Sequence, residues 1–260
     1  MRVLARFLQL RQNLQFHEFF PYILMTPFRK FQRFNHNRVM VRTDSLKDRF
    51  TLIYHRNVWG SKESASGSGS TMQMTESIRN SLPVLIKQFE IRSVFDAPYG
   101  DFNWMKMLDF QNLTYIGGDI VDEMIFDLQR NFENKSISFI TFDITKTPFP
   151  KSDLVLNRDC LFHLSYQDIL ATFHNFLVSK SSYFLSTSHD NAGIFQNSNI
   201  HSGDFLLIDL FAIPFNFPKE THFEIPEPGE GSLPARKLYL WDREQVQVAH
   251  SNLERFLSGL

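Results

Sequence analysis

Val94-Phe95-Asp96-Ala97-Pro98-Tyr99-Gly100-Asp101-Phe102-Asn103-Trp104 opens as an apolar strand, ends that strand on a carboxylate and turns through a single glycine. From Phe102 to Leu108 it reads as the start of a helix. Strand, tight turn and helix N-terminus in that order build the nucleotide pocket of an open α/β sheet, whose ligands sit beyond the carboxyl ends of the strands. The next unit repeats the pattern. Leu113 to Gly118 reads as a second strand closing on Asp119, and an acid at that tip is placed to accept both hydroxyls of an adenosine ribose. Asp143 follows the apolar run from Ile137 to Phe142. Three successive strands each end on an aspartate, and that regularity is the main functional signal.

Working outward, Glu76, Ile78, Leu82, Leu85, Ile86 and Phe89 space as a helix from about Thr71 to Phe89, with Pro83 as a kink. The Ser/Gly run from Ser64 to Thr71 just before it has the composition of a linker. Between an aromatic stretch and a helix, it reads instead as a loop that closes over the ligand, its small hydroxyl residues leaving backbone N–H groups for a carboxylate. Downstream, Val121 to Phe132 is a helix with acids in its first turn and Arg130 near its end. Asp153 to Asn157 is a fourth strand, Ile169 to Leu177 a helix and Ser181 to Ser186 a fifth strand. This alternation implies a mainly parallel sheet with helices on both faces. A polar loop from Asp190 to Asp204 and two proline-bounded pieces (213–218 and 223–228) follow. Lys237 to Trp241 is a last strand in an antiparallel pair at the sheet edge.

The 260 residues, 43% of them hydrophobic, suit one large α/β domain with an extension. A net charge of −1 gives no bulk attraction to nucleic acid. The one cysteine, Cys160, excludes an internal disulfide and a Cys-based zinc site, and suits the reducing cytoplasm. No apolar run reaches the roughly 18 residues of a spanning helix. The 28 phenylalanines read mostly as core and pocket wall. Residues 1–49 differ from 50–260: Arg2, Arg6, Arg11, Arg29, Lys30, Arg33, Arg38 and Arg42 are opposed only by Glu18 and Asp44, with phenylalanines interleaved. A helical extension packed on the main domain is the preferred reading, with Leu4, Phe7, Leu8 and Arg11 on its first amphipathic helix. A peripheral contact of residues 1–45 with anionic lipid is the second. An organellar transit peptide is the third, and the segment holds little serine for one.

The chain resembles class I S-adenosylmethionine-dependent methyltransferases, and within them a family often encoded with enzymes of surface-glycan assembly. The resemblance rests on Ile53-Tyr54, Asn57-Val58-Trp59-Gly60-Ser61, Glu63-Ser64, Ser66-Gly67-Ser68-Gly69-Ser70, Asp96 to Met105, Gly118-Asp119-Ile120-Val121, Asp143-Ile144-Thr145 and Asn157 to Ser165. It runs from about Phe50 to Trp241 and leaves residues 1–49 outside. The superfamily's first motif, D-x-G-x-G-x-G, has Pro98, Gly100 and Phe102 at its glycine places, so only Gly100 lets the backbone approach a ligand closely. The resemblance implies a Rossmann-like fold with a mainly parallel sheet and an antiparallel edge strand. It implies S-adenosylmethionine as cofactor, held by Trp59, Ser68, Gly69, Ser70, Thr71, Asp96, Ala97, Pro98, Tyr99, Gly100, Asn103, Trp104, Asp119, Ile120, Asp143, Ile144, Asn157 and Arg158. Within that set the Pro98–Gly100 turn and the Ser68–Thr71 loop take the methionine, Asp119 the ribose, and Asp143 with Ile144 the adenine. Tyr99, Phe102 or Trp104 offers a ring face to the sulfonium. The implied reaction is O-methylation of a sugar or glycan. The alternatives are a small-molecule or lipid acceptor, or a binding module without catalysis.

A sugar hydroxyl is a poor nucleophile until its proton is removed, so a general base is expected. His163 lies four residues after Asp159, which puts both on one face if the segment is helical: an imidazole oriented by a carboxylate. Asp159 itself is the alternative base. Its use with Asp190 as a divalent-metal site is a minority reading, and no metal is expected. Cys160 is a pocket-wall residue. A nicotinamide oxidoreductase would want the Gly-x-Gly-x-x-Gly turn, which the chain lacks.

Overall fold

The computed structural model describes residue 43 and residues 45–59, 61–229 and 233–259. Contacts within the chain divide it into 1–44 and 45–260. The amphipathic helix and the lipid contact expected of the N-terminal residues lie outside the described part. Helix α1 (Leu46–His55) starts where the Ser45 side chain accepts from the Asp48 amide, and it runs through the 49–50 boundary expected from sequence. In chain order there follow α2 (Glu76–Gln88), β1 (Ser93–Asp96), β2 (Thr114–Asp119), α3 (Asp122–Phe132), β3 (Ile137–Thr141) and β4 (Leu154–Asn157). Then come α4 (Tyr166–Ser179), β5 (Tyr183–His189), β6 (Phe223–Glu227), β7 (Arg236–Asp242) and α5 (Arg243–Ser258). No helix among the described residues is long and apolar enough to cross a membrane.

The seven strands form one sheet in the order β3-β2-β1-β4-β5-β7-β6. Strands β1 to β5 pair in parallel, and β7 runs antiparallel to both neighbours. The expected antiparallel pair at the edge is β7 with β6. The outermost strand carries Pro226, which the edge of a sheet tolerates because a ladder bond is missing there anyway.

Side chains alternate across a strand, and here both faces are apolar. Val94, Leu154, Leu156, Leu185, Leu238 and Leu240 belong to one core cluster, with Ile78, Leu82 and Leu85 of α2 and Ile125 of α3. Phe95, Val155, Phe184, Tyr239 and Trp241 belong to the other, with Phe173 and Phe176 of α4 and Val246, Ala249 and Leu253 of α5. The helices over this second face are firmly ended. Ser165 caps α4, and Asp242 with Gln245 closes a reciprocal capping box on α5.

The helix expected over Phe102–Leu108 does not form. Phe102 has a φ of 59°, outside the right-handed helical region, and only one 3₁₀ turn (Met105–Met107) follows before Leu108 becomes extended. Phe102 is instead buried among Phe110, Tyr115, Phe132 and Phe139. It is core, not a ring face for a ligand.

Candidate functional site

Parallel register brings the tips of β1 and β2 to the same end of the sheet, Asp96 lying opposite Gly117, two residues before Asp119. Over this end lies the segment 61–71, which is not a free linker. The Asp101 carboxylate accepts from the Ala65 amide at 2.7 Å, the Ser64 hydroxyl at 3.1 Å and the Ser66 hydroxyl at 3.4 Å. Ser66 Oγ in turn accepts the Asp101 amide at 3.0 Å. Glu63 accepts the Met72 amide and the Asn103 side chain, and Asn103 also donates to the Ser70 carbonyl. The strap is therefore stitched to the turn after β1. Gly100 has a φ of 67°, and a Cβ there would stand 1.9 Å from Ser66 Oγ. What needs glycine at this point is the strap. Ligand approach was the expected reason, and it is not the one the packing shows.

The strap's amides also differ from expectation. The Ser70 and Thr71 N–H groups are used inside the Ser68–Ser70 turn, donating to the Gly67 and Ser68 carbonyls. They are not held open for a carboxylate. Trp59 packs over Gly67, where a Cβ would come within 3.0 Å of the Trp59 Cβ.

Asp119 is buried at the tip of β2. Its Oδ1 accepts the Val121 amide at 3.1 Å and its Oδ2 the Gly100 amide at 3.2 Å, with the Ile120 amide also favouring the charge. Burial nevertheless pushes its pKa up to about 6, and no cation among the described residues sits against it to offset desolvation. Each oxygen keeps acceptor capacity, which suits a ligand bringing two hydroxyl donors. Beside it, the Tyr99 ring packs on Gly117 and Phe139, and its buried hydroxyl finds no hydrogen-bond partner among the described residues. Such an orphaned donor is rare in a finished core and common at a ligand site. Asp96 accepts the Tyr115 hydroxyl at 2.8 Å, and burial raises it to about 8. It is a mostly protonated strand-end anchor at neutral pH. Ala97 is buried in the core, and Pro98 is half-buried.

The remaining expected cofactor residues divide. Asp143 stands half-buried beyond β3; one oxygen caps its own turn through Thr145 and the other meets Lys146 at 3.1 Å. Ile144 is core, and its carbonyl accepts from Asn175. Asn157 is fully buried, donating to the Ala97 carbonyl at 2.6 Å and accepting from Ser186, so its amide ties β4 to β1 and β5. Trp104 is buried, with the Arg158 guanidinium 5.7 Å from its ring centre. One face of that ring therefore already serves a cation.

Arg158 leads into a buried ion network that sequence reading did not find. Its Nε donates to Glu227 at 2.9 Å, its Nη1 lies 3.2 Å from Asp159, and its Nη2 donates to the Gly69 carbonyl at 2.7 Å. Arg236 closes the square, meeting Glu227 at 3.2 Å and Asp159 at 2.9 Å. Two cations and two anions balance. The arginines hold the Asp159 carboxyl below the usual range, while burial lifts Glu227 above it.

This changes the expected Asp159–His163 arrangement. Asp159 has a φ of 51° and precedes a single 3₁₀ turn (Leu161–His163), so the pair shares no helical face. The Asp159 carboxylate is taken by Arg158, Arg236 and Thr187. Facing two guanidiniums, it is a weak base and has little charge left for a divalent cation. His163 Nδ1 instead meets the Asp204 carbonyl at 2.9 Å. A carbonyl can only accept, so Nδ1 carries a proton, and in the neutral ring Nε2 is the basic nitrogen. The imidazole lies in a group of rings: Trp59 at 5.6 Å, Phe162 at 4.6 Å and Phe205 at 5.7 Å between centroids. Cys160 is buried, its thiol pushed up to about 12, an inert wall residue.

Asp101, Glu63, Ser66, Glu227, Arg236 and His189 were not read as site residues from sequence. Asp101 was the most accessible of these, since a second acid five residues after Asp96, in a turn facing a Ser-rich loop, invites a hydrogen-bonded clamp.

No family model matches the sequence, and no curated protein matches it. Among solved structures, a SAM-dependent methyltransferase of Leishmania major is similar with a TM-score of 0.56 at 14% identity, over 78% of this chain and 88% of that one. An N-methyltransferase of Bradyrhizobium japonicum in complex with S-adenosyl-L-homocysteine gives 0.55 at 12% identity, over 74% and 97%. The magnesium protoporphyrin IX methyltransferase of Synechocystis with bound SAM gives 0.50 at 10%, over 78% and 99%. At these identities the likeness is one of fold. The chain has the class I methyltransferase fold, with a seven-stranded, mostly parallel sheet.

Proposed function

We propose that the chain is an S-adenosylmethionine-dependent methyltransferase acting on a hydroxyl of a sugar or glycan. The observation that carries the reading is Asp119: a buried carboxylate at the second strand tip, without a counter-cation among the described residues and with acceptor capacity on both oxygens. The residues present suit the cofactor. Asp119 would take the ribose hydroxyls, and the Tyr99 hydroxyl, orphaned within the described chain, would gain a partner. The 61–71 strap would cover the methionine end, with Asp143 at the rim for the adenine.

When bound, the cofactor would supply an electrophilic sulfonium methyl to the acceptor oxygen, leaving this chain to take up the hydroxyl proton. His163 is the base, its Nδ1 held by the Asp204 carbonyl, which makes Nε2 the nitrogen that would take the proton. Asp159 acts through Arg158 and Arg236, fixing the guanidinium that holds Gly69. Holding the reactants in line, which the strap and turn would do, can contribute about 7–11 kcal/mol. The aromatic rings around His163 support a carbohydrate acceptor, whose C–H faces stack on such surfaces.

Calorimetry with S-adenosylhomocysteine, set against NAD, tests the cofactor assignment; binding of NAD alone overturns it. In a methyl-donor assay over sugars, lipids and small phenols, His163→Ala should bind the cofactor product nearly as wild type does. Its turnover should fall by about 10²–10⁴-fold. Retained turnover in that variant moves the base elsewhere.

A further inference from the structure

Glu227 is the last residue of the edge strand β6 and Arg236 the first of β7, and the two stand directly opposite each other across the ladder. Arg158, Glu227 and Arg236 are all buried. A buried ion network is weak evidence for stability, because well-packed apolar residues of similar volume often do as well or better. Its place in the fold gives another reason for it. Arginine presents its donors in one rigid plane, and here that plane is set from the sheet. Glu227 accepts from Arg158 Nε at 2.9 Å and is itself held by Arg236 Nε at 3.2 Å. Asp159 lies 3.2 Å from Arg158 Nη1 and is held by Arg236 Nη2 at 2.9 Å. Thr187 of β5 fixes it further, its hydroxyl accepting the Asp159 amide at 2.9 Å and donating to the carboxylate at 3.2 Å. Trp104 bounds the guanidinium on one side. The two carboxylates are thus held from β5, β6 and β7, whereas the next partner, the Gly69 carbonyl 2.7 Å from Nη2, belongs to the strap. Asp101 ties the strap at 64–66 and Arg158 ties it at 69, so it is fastened at two separate points.

We infer that Glu227 and Arg236, at the base of the β6–β7 hairpin, are positioning residues of the cofactor site: they orient Arg158 so that it closes the strap at Gly69, and the edge of the sheet thereby sets how tightly the cofactor is held. The inference rests on the methyltransferase reading for what lies under the strap. Both residues act through Arg158. Removing either turns the guanidinium, and the strap loses its second tie while the Asp101 tie stays.

The test combines Glu227→Leu and Arg236→Met in one variant, which removes one charge of each sign and leaves Arg158 balanced by Asp159. Its urea unfolding midpoint should stay near that of wild type. Hydrogen exchange at the Ser70 and Thr71 amides should nevertheless rise by about tenfold or more, and affinity for S-adenosylhomocysteine should fall by about the same factor, as one charge-assisted bond is lost. The Ala65 amide, held by Asp101, should keep its wild-type protection. Arg158→Lys is the second variant and decides the question if the first does not fold. Lysine keeps the charge, but its single nitrogen cannot span Glu227, Asp159 and Gly69 at once, so Ser70 and Thr71 should loosen in the same way. Wild-type exchange at those two amides in a folded variant overturns the inference. Faster exchange spread evenly over β6, β7 and the strap marks a merely structural role and overturns it too, as do loosened amides with unchanged affinity. Wild type that binds no S-adenosylhomocysteine sinks the methyltransferase reading, whereas the exchange measurement, which needs no ligand, still judges the clamp.

Discussion

Asp101→Ala should release the strap over the candidate cofactor site while leaving the sheet intact. The carboxylate accepts two close bonds from the strap, at 2.7 Å from the Ala65 amide and 3.1 Å from the Ser64 hydroxyl, and a weaker one at 3.4 Å from Ser66. Charge-assisted bonds reach about 1.5–3 kcal/mol each, but Asp101 is half-exposed and water replaces part of what is lost, so about 1 kcal/mol each is the fairer figure. The strap then loses about 2–3 kcal/mol of its closure, a shift of roughly 30- to 150-fold in its closed-to-open ratio. The remaining ties, Glu63 to the Met72 amide and Arg158 to the Gly69 carbonyl, stay in place and limit the opening. If the closed strap is what binds, affinity for S-adenosylhomocysteine falls by up to that factor, since only the competent fraction contributes. Calorimetry gives the affinity, and hydrogen exchange over 61–71 gives the opening. Unchanged affinity together with unchanged protection would refute the clamp.

Asp119→Asn should weaken S-adenosylhomocysteine by about 100-fold, from two charge-assisted bonds at about 1.5 kcal/mol each, with far-ultraviolet circular dichroism unchanged. Because burial raises Asp119 to about 6 and hydroxyl donors favour the ionised form, wild-type affinity should climb as pH rises through about 6 and then level. The asparagine variant should lack that rise. The same raised value means that the ligand-free fold holds its proton longer than the unfolded chain, so stability falls as pH rises from the ordinary carboxylate range toward 6. Asp96, raised to about 8, adds the same sign up to that pH. Arg236→Met should cost about 3–5 kcal/mol in urea unfolding, because it leaves Asp159 and Glu227 buried against Arg158 alone. A loss under about 1 kcal/mol would mean that water reaches the network.

Much of the architecture is legible locally. The strand tips at Asp96, Asp119 and Asn157 follow from apolar runs ending on polar residues, whereas β6, with Pro226 inside it, reads from sequence only as a proline-bounded piece. Where local reading failed, a left-handed residue intervened. Phe102 and Asp159, at φ of 59° and 51°, each stop a helix that spacing alone would continue. Nothing in the composition of Phe-Asn-Trp or Asp-Cys-Leu announces that backbone, because it is imposed by the burial of the Phe102 ring in one case and the double arginine contact of Asp159 in the other.

The sequence by itself determined the alternating α/β frame, the end of the sheet where a ligand belongs, and the aspartate suited to a ribose. All three arise from periodicity and from turns a few residues long, whose physics is contained in neighbouring positions. Tertiary structure alone decided the partners. Asp159 is 77 residues from Arg236, Arg158 is 69 from Glu227, and Asp101 is 36 from Ala65. It also decided that two imidazoles, on the turn after β4 and at the end of β5, share the same phenylalanines. An ion pair depends on which groups chain folding brings within about 3 Å in a site closed to water. Spacing along the chain holds no record of that distance.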